Sequence, residues 1–209
     1  MKIKTSQKIG LHLVPFNDMV VFDIETTGLS SRYDEIIQIA AIRILNGSII
    51  PNDFFFSYIK PQCSIPGFIT AYTGITEHDV KKAPSLSKIL PEFSIFCNNS
   101  LIIAHNGQRF DLPFIFHSCR KHNIKTRISF FCDSIHLSWN LWGKTNGIRH
   151  NLDSVISRLK ISTHGFRRHD ARDDASITAA CVCQMIKRIE NIRKNIFVNI
   201  YQCELPEIN

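Results

Sequence analysis

Two carboxylates stand where a strand should be apolar. Met19-Val20-Val21-Phe22-Asp23-Ile24-Glu25 is a β-branched, apolar run interrupted by Asp23 and Glu25. Positions i and i+2 of a strand share a face, so the two acids sit side by side, where burial and mutual repulsion penalise both charged forms. A divalent cation removes that conflict, and carboxylate oxygens suit magnesium or manganese. Taken alone, the pair reads better as a solvated strand end at Glu25 with Asp23 paired to an arginine. Two other segments bring acids into comparable settings. Residues 104–111 (AHNGQRFD) follow a short apolar run and lead into a helix, placing Asp111 at a strand's carboxyl end or in a first helical turn. His169-Asp170-Ala171-Arg172-Asp173-Asp174-Ala175 opens a long helical stretch. Each of these alone also has the look of a helix cap or a dipole partner.

The elements that must position these residues follow from hydrophobic periodicity. Thr26-Thr27-Gly28 ends the first strand. Ile36 to Leu45 and Ile49 to Ile59 read as further strands, joined at Asn46-Gly47, a hairpin signal, which makes an antiparallel meander of the three. Residues 61–84 read as loop, with Pro61, Pro66, Gly67, Gly74 and Pro84. Leu86, Ile89, Leu90, Phe93 and Phe96 recur at helical spacing. Leu101 to Ala104 and Ile128 to Cys132 are short strands, with a helix from Leu112 to His122 between them and Pro113 in its tolerant first turn. Leu152, Val155, Ile156 and Leu159 mark one more helix, and Ala175 to Ile192 a longer one. Strands first, then strands alternating with helices, indicate an α/β or α+β chain with a mixed sheet. A length of 209 residues fits one compact domain with flanking segments: an extension at 1–18, a domain at 19–194 and a tail at 195–209.

Together the acidic segments resemble the DEDDh branch of the 3′→5′ exonucleases, which includes the epsilon proofreading subunit of bacterial DNA polymerase III and stand-alone relatives. Phe22 to Gly28 looks like the first motif, Asn106 to Asp111 like the second, and His169 with Asp174 like the third. Thr73-Gly74-Ile75-Thr76, Cys132-Asp133-Ser134 and His150 to Val155 resemble three further segments of that branch, in the right order, over about residues 19–190. Three residues separate Asn106 from Phe110-Asp111, where epsilon subunits have two, which moves the likeness toward stand-alone members. The resemblance implies a ribonuclease H-like fold, a mixed five-stranded sheet flanked by helices. It implies that Asp23, Glu25, Asp111 and Asp174 hold two Mg²⁺ or Mn²⁺ ions about 3.5–4 Å apart, with His169 as general base. Asp173 is the alternative to Asp174. By the same resemblance Thr26, Thr27 and Gly28 meet the 3′-terminal nucleotide and Thr73 and Ile75 flank its base. The expected reaction is hydrolysis of DNA from the 3′ end to nucleoside 5′-monophosphates, in proofreading or repair. The same four acids also serve RNA-trimming members. A catalytically silent binding module would lack an acid or the histidine, and all five are present.

Charge agrees with a polyanionic partner. The chain carries +7, with residues 143–194 alone at +6, and setting the four acids aside raises the total to +11. Arg167 and Arg168, beside His169, are the leading candidates for phosphate contacts. Trp139 and Trp142 flank the loop 143–147 and could wedge against a base, while His105, His117, His136 and His150 carry no motif role. Gln202 to Pro206 loosely resembles a sliding-clamp peptide without its aromatic end, so a clamp or replicative polymerase is the one protein partner suggested. Seven cysteines with no C-x-x-C pair read as buried thiols in a reducing cytoplasm. No apolar run reaches the roughly 20 residues a membrane span requires, and no secretion signal stands out.

Overall fold

The computed structural model describes residues 3–10, 18–126, 128, 130–145, 147–192 and 197–203. Strands β1 (Ile3–Gly10), β2 (Asp18–Thr26), β3 (Ile36–Leu45) and β4 (Ser48–Tyr58) are followed by helices α1 (Gly67–Thr73), α2 (Glu77–Val80) and α3 (Leu86–Phe96). Then come β5 (Leu101–Ala104), α4 (Asp111–Lys121), β6 (Phe130–Asp133), α5 (Ser134–Trp142), α6 (Leu152–Leu159), α7 (Ala171–Ile192) and β7 (Phe197–Cys203). All strands join one sheet in the order β1-β7-β6-β5-β2-β3-β4. β2, β3 and β4 form the expected antiparallel meander. Its tight turn has positive φ at both Asn46 and Gly47, which matches the right-handed strand twist. β5 runs parallel to β2 and to β6.

The period-2 pattern of β2 divides the core between two faces of the sheet. Val20, Phe22 and Ile24 pack with Leu90 and Phe93 of α3 and Leu112, Ile115 and Phe116 of α4. Met19 and Val21 pack with Val155 and Leu159 of α6 and Ile177, Val182 and Met185 of α7. Each such fully buried side chain contributes roughly 1.5–3 kcal/mol. Asp23 and Glu25 continue the second face, where the apolar packing stops. Small residues let α7 approach there: Ala40, register partner of Asp23, packs against Ala171 and Ala175. Gln38, register partner of Glu25, is fully buried and anchors the helix start. Its Oε1 accepts from the Ala171 N–H at 2.7 Å and its Nε2 donates to Asp170 at 3.3 Å.

The mixed α/β sheet flanked by helices has two more strands than the five expected. β7 pairs antiparallel with β6, and β1 with β7, so the segments set aside as extension and tail each supply a strand. The segment 61–84 holds α1 and α2 rather than loop alone. At 7 and 4 residues they are too short to display a period, and Gly74, at φ +71, ends α1 in the left-handed region that favours glycine. α5 lies in a stretch to which the sequence assigned no element, its N-terminus capped by Asp133 accepting from the Ile135 N–H. Gln202 and Cys203 of the clamp-like segment lie in β7, paired with β1; residues 204–209 lie outside the described residues. Among the described residues no helix is long and apolar enough to cross a membrane.

Candidate active site

A cleft of about 270 Å³ opens at the carboxyl ends of β2 and β5, and Asp23, Glu25, Asp111, His169 and Asp174 all line it. Three elements deliver them. β2 carries Asp23 and Glu25 on one face. The β5–α4 loop carries Asp111, and its fold depends on a buried carboxylate. Asp133 accepts from the N–H groups of Asn106 at 2.9 Å and Gln108 at 3.1 Å. Gly107 packs so closely on Ala104 and Phe131 that a Cβ has no room, and the loop then enters α4 with Asp111 as its first helical residue. The third element is the start of α7. His169 adopts φ +63 there, and its N–H donates to Asp174 Oδ2 at 3.0 Å.

Three aspartates compete at that helix start, and the geometry gives each a different task. Asp170 caps α7, accepting from the Arg172 N–H at 3.0 Å. Asp173 accepts from the Arg167 N–H at 2.7 Å. Asp174, one turn inside, is buried and faces the cleft.

The electrostatics are those of acids short of cations. Burial, then Asp111 and Glu25, push Asp23 well above the usual carboxylate range, and Arg168 only partly opposes this. Burial, with Asp111 and Asp170, raises Glu25 to about 7. Burial raises Asp111 to about 7 as well, with Asp133 adding to it. The buried Oδ1 of Asp111 has no hydrogen-bond partner, an arrangement that costs about 1–3 kcal/mol if left so. Glu25, His169 and Asp174 offer ligand atoms within 4.8 Å of one another. Hard oxygen donors, an orphaned carboxylate oxygen and repelling acids fit a divalent cation site. Burial and the Arg168 charge lower the His169 pKa, which favours the neutral imidazole.

The expected substrate contacts divide. Thr26 and Gly28 line the cleft; the Thr26 hydroxyl donates to the Gly28 carbonyl at 2.5 Å, and the Asp34 carboxylate fills the space a Cβ on Gly28 needs. Thr73 also lines the cleft, but it is buried and its hydroxyl bonds the Ile69 carbonyl and the Ile75 N–H. Two expectations fail on position. Thr27 turns inward to accept from the Glu35 N–H at 2.9 Å. Ile75 is buried with Ile37, Ile65, Ile69 and Val80, so the apolar side chain serves the core and not the cleft. Arg168 bridges Asp174 and Asp153, and the Arg167 guanidinium lies against Gly74. Trp139 and Trp142 carry Lys144 and Arg158 over their rings and do not line the cleft.

Among the cleft residues that the sequence reading gave no role are His105 and Tyr72. His105 follows β5 directly, and ligand sites gather at the carboxyl ends of parallel strands, a signal available in the sequence. Its Nε2 lies 2.8 Å from the His150 carbonyl oxygen, which only accepts, so Nε2 carries the proton and Nδ1 accepts from Ser134 at 2.9 Å. Tyr72, just before the Thr73-Gly74-Ile75-Thr76 segment, is 60% exposed and lines the cleft.

The fold and the cleft agree with what the chain matches. The family model described as Exonuclease (RNase T) matches residues 20–182, and the protein belongs to that family. It is similar to the PolC-type DNA polymerase III of Caldanaerobacter subterraneus subsp. tengcongensis, 35% identical over 175 residues, covering 84% of this chain and 12% of that one. The Mycoplasma genitalium PolC-type polymerase is 33% identical over 183 residues, covering 88% and 12%. The chain thus spans about 12% of the length of these relatives. Among solved structures, cell-death related nuclease 4 superposes with a TM-score of 0.73 at 19% identity, covering 88% of this chain and 67% of that one. The nuclease domain of 3′hExo, a DEDDh family member bound to rAMP, gives 0.70 at 18% identity, covering 84% and 94%. At such identities the likeness establishes the shared ribonuclease H-like fold.

Proposed function

We propose that the protein is a metal-dependent 3′→5′ exonuclease that shortens DNA from its 3′ end, releasing nucleoside 5′-monophosphates during proofreading or repair. The observation that carries this is the convergence of Asp23, Glu25, Asp111 and Asp174 with His169 on one cleft. In this reading the four carboxylates hold two Mg²⁺ or Mn²⁺ ions. When bound, these supply Lewis acidity, which activates water and neutralises charge at the scissile phosphate. His169, kept neutral by burial and by Arg168, takes the proton of the attacking water on a ring nitrogen. Thr26 and Gly28 bound the place of the terminal nucleotide. Thr27 and Ile75 support the cleft from behind, and Thr73 fixes the end of α1. Arg167 and Arg168 lie where a phosphate backbone approaching His169 passes.

The relatives' description as DNA polymerases favours DNA over RNA and makes a replicative polymerase or its clamp a fitting partner. The test is digestion of 3′- and 5′-labelled single-stranded DNA, duplex DNA and RNA, with Mg²⁺ and with chelator. The expected result is Mg²⁺-dependent loss of 3′-terminal nucleotides from DNA, abolished by Asp23→Ala. Digestion from the 5′ end, or activity indifferent to chelator, refutes it; faster digestion of RNA transfers the activity to RNA ends.

A further inference from the structure

The His169 ring meets an aromatic ring from another element that lines the cleft. The Tyr72 and His169 rings stack with centroids 3.8 Å apart and planes 28° from parallel. Tyr72 stands in the last turn of α1. Two residues on, Gly74 receives the Arg167 guanidinium against its Cα, where no side chain fits. The last turn of α1 and the segment 167–169 are therefore docked at two points, one on each side of Thr73. The third constraint on His169 is its own backbone, held at φ +63 and bonded through its N–H to Asp174.

We infer that Tyr72 is a positioning residue for His169, and this rests on the reading of His169 as the general base. A general base needs a third group to fix its direction, and carboxylates often fill that role. A carboxylate would occupy one imidazole nitrogen. A stacked ring fixes the plane of the imidazole and leaves both nitrogens open along their in-plane directions. The ring of Tyr72 is mostly exposed, so its contact with His169 is not a by-product of core packing. Because Tyr72, Thr73 and Gly74 are consecutive, the turn that borders the terminal nucleotide's place also sets the base. A 3′ end that displaces this turn moves His169 with it.

The test compares Tyr72→Phe with Tyr72→Leu. Tyr72 is exposed, so both variants keep the fold, which an unchanged melting curve checks. The ring protons of His169, followed by NMR without turnover, should keep their ring-current shift in Tyr72→Phe and lose it in Tyr72→Leu. In Mg²⁺-supported digestion, Tyr72→Leu should lower kcat by about 10–100-fold, the scale of an ångström-sized misplacement, with KM for the 3′ end held and Tyr72→Phe near wild type. An unchanged kcat in Tyr72→Leu overturns the inference. So does a raised KM at constant kcat, which assigns the ring to the substrate's base, or a failure of Tyr72→Phe to restore kcat. A wild-type protein that digests no 3′ end, with the ring-current shift intact, removes the exonuclease reading and this role together. An active wild type with an equally active Tyr72→Leu removes this role alone.

Discussion

The two ends of β2 handle charge in opposite ways. At its amino end the charges close on themselves. Arg43 donates from Nη1 to Asp18 at 2.6 Å and from Nε to Asp53 at 2.6 Å. It also reaches Ser100 and the Phe96 carbonyl, both at 2.9 Å, and lies over the Phe96 ring. One planar cation is thereby matched by two acids and a fork of further acceptors. At the carboxyl end, Arg168 pairs with Asp174 and Asp153 and only partly offsets Asp23 and Glu25, beside the buried Asp111. The same strand carries a balanced cluster that joins β2, β3, β4 and α3, and an unbalanced one whose acids outnumber the cations that face them. Balance marks the fixed scaffold; surplus of one sign marks the place where something else must bind.

The sharpest way to break this contrast is to remove one acid from each end. Asp23→Ala should lower kcat/KM at least 10³-fold, about 4 kcal/mol of lost transition-state stabilisation, while the metal-free protein melts no lower than wild type. Steady-state digestion and calorimetry check both halves. Asp18→Ala should do the reverse: it leaves Arg43 under-paired and should lower stability in urea by about 2–3 kcal/mol, with turnover per folded molecule unchanged. If Asp18→Ala abolished turnover, the division into scaffold and site would be wrong.

Acidity separates the ends as well. Glu25 and Asp111, raised to about 7, and Asp23, held well above the usual carboxylate range by burial, all titrate lower in an unfolded chain. Without divalent ions their contribution is complete at acid pH and is lost as pH rises through about 7. Melting temperature in chelator should therefore fall from about pH 5 to about pH 7, and Mn²⁺ should flatten the decline. A flat profile in chelator would mean that these acids are solvated. The smallest effect expected is at Arg168. Arg168→Gln removes the cation facing Asp174 and should tighten Mn²⁺ binding, read by titration calorimetry, by roughly tenfold or less. Weaker binding would make Arg168 a supporter of the site instead of a stand-in for the ion.

Much of this was legible before any coordinates. Asp23 and Glu25 stood out because they interrupt an apolar run, and alternation alone placed them on one face. The meander and the helices α3, α4, α6 and α7 announced themselves through periods long enough to repeat. The helices α1 and α2 did not, because 7 and 4 residues with proline and glycine beside them look like loop. β1 is an edge strand of mixed polarity, and such strands carry little hydrophobic signal. Spacing could not separate Asp170, Asp173 and Asp174, since all three suit a helix start; which one turns into the cleft depends on Gln38 and Arg167, which occupy the other two. Ile75 misled because its motif describes a backbone turn, while its side chain is as apolar as the core that took it. Tyr72 was invisible for the opposite reason: its partner His169 is distant in sequence, and no local pattern records a contact between them.

Asp133 has a consequence in time. Its carboxylate accepts from the amides of Asn106, Gln108 and Ile135 at 2.9, 3.1 and 3.0 Å, and Leu112 N–H closes the same loop onto the Gly107 carbonyl at 2.9 Å. By shape the β5–α4 connection is irregular, and connections of that kind trade their amide hydrogens with solvent quickly. Here the amides of Asn106 and Gln108 donate to a carboxylate that is itself buried at the end of β6, so their exchange requires that carboxylate to let go. In deuterated solvent they should persist on the timescale of the central strands, which would make this loop among the slowest parts of the molecule to open.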